Sequence, residues 1–205
     1  MVLNELINVL FHIDDYLGLI ISTYGTTTYL LLFLIIFIET GIVIMPFLPG
    51  DSLLFASGAF SAIGLLNLYL IIALLIFAAV LGDNLNYFLG KKLGKKLFNK
   101  EKSKLFNKEY LIKTENFYEK YGAKTIVIAR FIPIIRTFAP FVAGMGNMDY
   151  KRFIFYNIIG GICWVLLFTL AGYFFGGIPI IKENFSIVIL IIIFSSLIPP
   201  LIEVI

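Results

Sequence analysis

Five ionisable side chains stand in or beside strongly apolar sequence: Glu39, Asp51, Asp83, Arg130 and Arg136. A charge at the centre of a bilayer costs roughly 2.5–3.5 kcal/mol even on the lenient insertion scale. Four of them facing lipid would cost on the order of 10 kcal/mol, comparable with the whole stability of a domain. Such groups must face inward, pair, or meet water. Two acids, Glu39 and Asp51, fall in one apolar segment; two arginines, Arg130 and Arg136, fall in another. Mutual ion pairing would hold the segments together. Alternatively they form a polar midplane site, in which Arg130 and Arg136 bind a phosphate and Glu39 and Asp51 take up protons. The choice of arginine is informative. Thirteen of the sixteen basic residues are lysine, and two of the three arginines lie in the second segment. The guanidinium fork matches phosphate oxygens and keeps its charge when buried. On a straight helix the two arginines would point about 120° apart, so Pro133 between them must re-aim the chain if they are to converge. Asp83, in GDNLNYFLGKKLG, is an accessory candidate that could equally meet interfacial water or a lysine.

The elements that carry these residues follow from composition. The 205-residue chain is 60% hydrophobic and 14% charged, with a mean hydropathy of +0.98. A soluble domain carries about 25% charged residues, so an all-α polytopic membrane protein is expected. One cysteine, Cys163, and one histidine, His12, leave no intrachain disulfide and no metal cluster to expect. No cofactor is expected either. Ser52 beside Asp51 is the only candidate nucleophile and lacks a base, so an enzyme is not expected. Residues 91–124 hold eleven lysines and four glutamates. By the positive-inside rule this loop is cytoplasmic, and its lysines suit anionic headgroups.

Along the chain, residues 1–24 alternate as an amphipathic interfacial helix, without the basic start of a cleaved signal. Residues 27–38 start a helix, 39–52 interrupt it, and 53–63 resume it. A long helix is predicted over 65–90, a surface helix over 98–121, a second interrupted segment over 125–148, and spans over 152–177 and 181–202. Proline breaks the helical ladder, and irregular backbone at membrane depth must be covered by protein or water. Pro46, Pro49 and Gly50 therefore read as the bend of one re-entrant hairpin, and Pro133, Pro140 and Gly144 as that of another. An ordinary surface loop between two spans is the alternative for the first. Short matches hint at a duplication: PFLPG at 46–50 with PFVAG at 140–144, and YFLG at 87–90 with YFFG at 173–176. Repeat one (25–90) and repeat two (125–180) would then run in opposite orientations, as in many transporters, flanked by a C-terminal span at 181–205. Trp164, Tyr87 and Tyr173 read as interface anchors or packing residues. Gly41, Gly58, Gly64, Gly144, Gly146, Gly160 and Gly161 read as points of close helix approach.

Taken together, Glu39-Thr40-Gly41, PFLPGD at 46–51, GDNLNYFLGKKLG at 82–94, the run from Tyr118 to Met148 and the spaced Phe153, Asn157, Gly160 and Trp164 resemble the DedA family, also described by its VTT domain. The resemblance covers roughly residues 20–180. It implies opposed re-entrant hairpins, dependence on the acids and arginines at Glu39, Asp51, Arg130 and Arg136, and a bacterial cytoplasmic-membrane location. It further implies transport of a lipid phosphate such as undecaprenyl phosphate, driven by the proton-motive force. Partners would be membrane lipids, a polyprenyl phosphate and protons, without nucleic acid and with self-association left open. A proton-coupled exporter of small solutes or cations, a phospholipid scramblase and a non-transporting scaffold are the competing readings.

Overall fold

The computed structural model describes residues 25–42, 50–98, 108–176 and 178, and within them every regular element is a helix. In chain order these are α1 (Thr26–Gly41), α2 (Gly50–Ala62), α3 (Leu68–Phe98), α4 (Lys108–Tyr121), α5 (Thr125–Ala129), α6 (Pro133–Met145) and α7 (Tyr150–Gly176), with a single 3-10 turn, Gly122–Lys124, before α5. Two of them cross-check the hydropathy reading. Leu68–Gly94 and Tyr150–Gly176 are each 27 residues long, and within them an 18-residue stretch reaches a mean hydropathy of 2.2 and 2.1 respectively. At 1.5 Å per residue each is roughly 40 Å long, enough for a ~30 Å hydrocarbon core.

Several predicted boundaries move. Helix α1 continues through Gly41, so Glu39 sits in its last turn rather than in the interruption. Helix α3 runs on through the lysines to Phe98, beyond the loop start expected at residue 91. The surface helix is described over Lys108–Tyr121. The interfacial helix at 1–24, the bend residues Pro46 and Pro49 and the span at 181–205 lie outside the described residues.

The second interrupted segment breaks at Arg130–Ile132. Phe131 N–H bonds the Ile128 carbonyl at 3.2 Å and Ile132 N–H the Ala129 carbonyl at 2.9 Å, both tight i to i−3 turns. Ile132 is then extended, at φ −120° and ψ 104°, the conformation that a following proline enforces. Pro133 opens α6, where its missing N–H costs nothing. Pro140 and Gly144 are not at the bend. Pro140 lies inside α6, and Gly144 lies in its last turns. The break belongs to Pro133 because it alone meets the chain at a helix start.

The chain divides into two compact units. The first comprises residues 25–33, 50–75 and 165–178. Here α2 lies against the end of α7 at glycines. A Cβ at Gly58 would strike the Thr169 carbonyl, one at Gly172 the Phe55 carbonyl, and one at Gly176 Ala59. Asn67 caps α3, accepting from the Leu70 N–H at 3.0 Å, while its own N–H donates to the Tyr29 hydroxyl oxygen at 2.7 Å. Asp51, in the first turn of α2, belongs to this unit, where its charge suits the helix N-terminus.

The second unit comprises residues 34–42, 76–98 and 108–164. Helix α6 lies against α3 in the same manner. A Cβ at Gly144 would strike the Tyr87 carbonyl, one at Gly90 the Phe141 carbonyl, and one at Gly94 Met145. At Gly82 it is α1 that approaches, through Thr40 and the Phe37 carbonyl. Helix α4 packs on α6, with the Tyr118 hydroxyl donating to the Ala139 carbonyl at 2.8 Å. Tyr87 is buried and donates to the Met148 carbonyl at 2.6 Å.

Candidate functional site

Four of the five charged candidates converge inside the second unit, where all are buried. Arg136, in the first turn of α6, donates from Nη2 to Glu39 Oε1 in the last turn of α1. Arg130, at the break after α5, donates from Nη2 to Asp83 Oδ2 on α3. The same Nη2 also donates to Asn157 Oδ1 on α7 at 2.6 Å. Asn157 is itself oriented, its Nδ2 donating to the Val80 carbonyl at 3.1 Å. The partner of Arg130 is thus Asp83, not a lysine or interfacial water for that acid.

Trp164 joins the two pairs. The Arg136 guanidinium carbon lies 5.0 Å from the centre of its ring and that of Arg130 5.8 Å away. Both are within cation–π range. Trp164 is fully buried, so it is a shared platform for two cations rather than an interface anchor. The break at Pro133 makes this geometry. It reorients α6 relative to α5 so that two arginines six positions apart reach one indole.

Space for Arg130 comes from α7. A Cβ at Gly160 would lie 3.0 Å from Arg130 Cδ and Nε, and one at Gly161 3.6 Å from its Nη2. These glycines give way to a side chain as much as to a helix. Arg130 Nε and Nη1 are buried and have no hydrogen-bond partner among the described residues. Buried donors are nearly always paired in folded proteins, so these two nitrogens are the unsatisfied part of the site.

Asn86 completes the cluster. It is fully buried, and its Nδ2 donates to the Thr40 carbonyl at 3.2 Å and the Thr137 carbonyl at 2.8 Å. Sequence reasoning assigned no role to Asn86 or Asn157. The available signal was two primary amides set among apolar residues, one on the long helix predicted over 65–90 and one on the span predicted over 152–177. Among the described residues no group of three or more His, Cys, Asp or Glu could hold a metal ion.

Chemically, the arrangement is two buried guanidiniums, each neutralised by one carboxylate and both resting on one aromatic face. A buried pair that loses one partner is strongly destabilised. Protonating Glu39 or Asp83 therefore leaves a cation that demands another anion.

A model of the VTT domain matches residues 48–174. Protein DedA of Escherichia coli K12 is 52% identical over 202 residues, covering 98% of this chain and 92% of that protein. A membrane protein of Mycobacterium tuberculosis H37Rv, named as uncharacterised, is 43% identical over 184 residues, 89% of this chain and 81% of its own length. The inner membrane protein YqjA of Escherichia coli K12 is 36% identical over 152 residues, 74% and 69% of the two chains. No solved structure matches.

Proposed function

Since the chain belongs to the DedA family of VTT-domain membrane proteins, we propose that it carries a lipid phosphate across the cytoplasmic membrane, with undecaprenyl phosphate as the substrate and the proton gradient as the drive. The observation that supports this reading is the pair of buried arginines on one indole ring, each held by a carboxylate, with donor nitrogens of Arg130 left over. In the substrate-free state Glu39 and Asp83 neutralise the two guanidiniums. Protonation of a carboxylate releases its arginine. The phosphate then takes the vacated donors, while the polyprenyl tail stays in lipid. Deprotonation restores the carboxylate as competitor and expels the phosphate. Asp51, on α2 of the other unit, serves as a second proton carrier in this scheme.

The architecture we infer for this cycle is two inverted repeats, each with a re-entrant hairpin and a spanning helix, with the lysine-rich segment cytoplasmic. Two matching glycine crossings support a duplication. Phe55, Gly58 and Ala59 on α2 correspond to Phe141, Gly144 and Met145 on α6, 86 positions on; Gly90 and Gly94 on α3 correspond to Gly172 and Gly176 on α7, 82 positions on. Each crossing takes one helix from each half of the chain. This register pairs PFVAG with LFASG at 54–58, not with PFLPG at 46–50.

The test is transbilayer movement of a labelled polyprenyl phosphate in liposomes, with and without a pH gradient. Labelled phosphatidylethanolamine serves as control lipid and Arg136→Ala as control protein, its folding checked separately. Movement of the phosphate lipid alone, lost in the variant, is expected. Equal movement of both lipids would make the protein a scramblase. Movement of neither would favour a proton-coupled exporter of small solutes.

A further inference from the structure

Helix α3 carries a stripe at four-residue spacing, Gly82, Asn86, Gly90 and Gly94. Residues four apart share a helix face. Helix α1 touches this face at Gly82, and α6 touches it at Gly90 and Gly94. Asn86 lies midway, and its amide nitrogen donates one hydrogen bond to each visitor. The acceptors are telling. Thr40 directly follows Glu39, and Thr137 directly follows Arg136. Thr40 is in the last turn of α1, where carbonyls outrun their helical donors. The missing N–H of Pro140 leaves the neighbouring Arg136 carbonyl short of its helical donor, and the Thr137 carbonyl, beside it, keeps its second lone pair for a partner outside the helix. Both carbonyls have capacity for this second partner.

We propose that Asn86 is a positioning residue for the Glu39–Arg136 pair: one primary amide ties together the backbones that carry the carboxylate and the guanidinium, and so sets the separation at which the pair opens and closes. It acts on where α1 and α6 present the two charges. A primary amide is required because two donors on one nitrogen must reach two carbonyls; a hydroxyl has one donor and a carboxylate has none. The inference rests on the function proposed above for its transport readout, but its structural readout does not.

That readout is Trp164, the only tryptophan in the chain. Its ring lies under both guanidiniums, so its fluorescence reports the site directly. Full-length protein in nanodiscs is compared as wild type, Glu39→Gln, Asn86→Leu, Asn86→Gln and the Glu39→Gln/Asn86→Leu double variant, each checked for a cooperative thermal transition. If Asn86 positions the pair, Asn86→Leu shifts the Trp164 emission in the same direction as Glu39→Gln. The double variant then shifts no further than Glu39→Gln alone, and Asn86→Gln, which keeps the amide, recovers part of the wild-type spectrum. In liposomes Asn86→Leu slows polyprenyl phosphate movement about tenfold. An emission unchanged in Asn86→Leu, or shifts that simply add in the double variant, would overturn the proposal. If Asn86→Leu does not fold, the same comparison is made with Asn86→Gln and its double variant, and additivity again overturns it. Wild-type protein that moves no polyprenyl phosphate but shows the non-additive emission shift would count against the transport reading alone.

Discussion

Replacing Glu39 by Gln keeps the shape of the site and removes one charge. Arg136 is then a buried cation without its carboxylate. Losing one partner of a buried pair costs about 3–5 kcal/mol. Trp164 remains under the guanidinium, 5.0 Å from ring centre to Cζ, and retains roughly 1 kcal/mol of attraction. The expected loss is therefore about 2–4 kcal/mol. Arg136→Met alone strands Glu39 in the opposite sense, without an aromatic face to soften it, and should cost about 3–5 kcal/mol. The double variant Glu39→Gln/Arg136→Met has no stranded charge. It should recover most of the loss, because replacing a whole buried pair by neutral groups is close to neutral. Equilibrium unfolding in mixed micelles gives the four stabilities, and their cycle gives a coupling of at least about 2 kcal/mol. Two single variants that each cost under about 1 kcal/mol, with an additive double, would refute the buried pair as drawn. Transport separates the pair's two roles. The double variant should be stable yet inactive, because the site then holds neither proton carrier nor phosphate donor.

Other consequences are checkable in the same preparations. Arg136→Lys should keep the fold but slow lipid-phosphate movement at least tenfold, because a point charge replaces a planar fork; unchanged rates would remove bidentate phosphate binding from the scheme. Gly144→Ala should cost about 1–3 kcal/mol, since its methyl meets the Tyr87 carbonyl and the Lys91 N–H rather than a yielding side chain. Gly146→Ala, whose nearest neighbour would be the Val142 carbonyl at 3.3 Å, should stay within about 0.5 kcal/mol of wild type. Tyr118, on α4, has its phenol pushed well above the ordinary 10.0 by burial and then by the charge of Asp83. The neutral phenol is favoured in the fold, so its stabilisation is complete below pH 10 and declines as pH climbs through the folded value. Alkaline melting curves of Tyr118→Phe should lack that part of the decline.

Much of the site was legible because charge in apolar sequence has few explanations. The cost of exposing Arg130, Arg136 and Glu39 to lipid required burial or pairing, and the structure buries them. Pairing itself could not be read from sequence. Glu39 and Asp51 share a segment, which made them the natural acid couple, yet Asp83 takes Arg130 and Asp51 belongs to the other unit. The choice depends on which helix crosses which, and that is settled by Gly82, Gly90 and Gly144 rather than by any charged residue. Trp164 sits at the middle of its span, and its full burial agrees with the packing alternative; its place beside two guanidiniums could be seen only once α5, α6 and α7 converge. Pro140 looked like Pro133 in sequence. The difference is that Pro133 meets the chain at a helix start, whereas Pro140 lies buried inside α6.

The glycine crossings have a mechanical meaning of their own. At Gly90 and Gly144, helix α6 meets α3 through bare backbone, a Cα against a carbonyl. Interlocked side chains resist any change of crossing angle, since every rotamer must be unlocked at once. Where backbone meets backbone there are no teeth; the depth at which the helices seat is fixed, because nothing can compress a carbonyl, and the side chains that do bridge α3 and α6 lie to either side, Met145 at Gly94 and Asn86 at the Thr137 carbonyl. Such a joint behaves as a pivot bearing. It gives α6 a defined fulcrum near its C-terminal end, and the far end of that lever is Arg136.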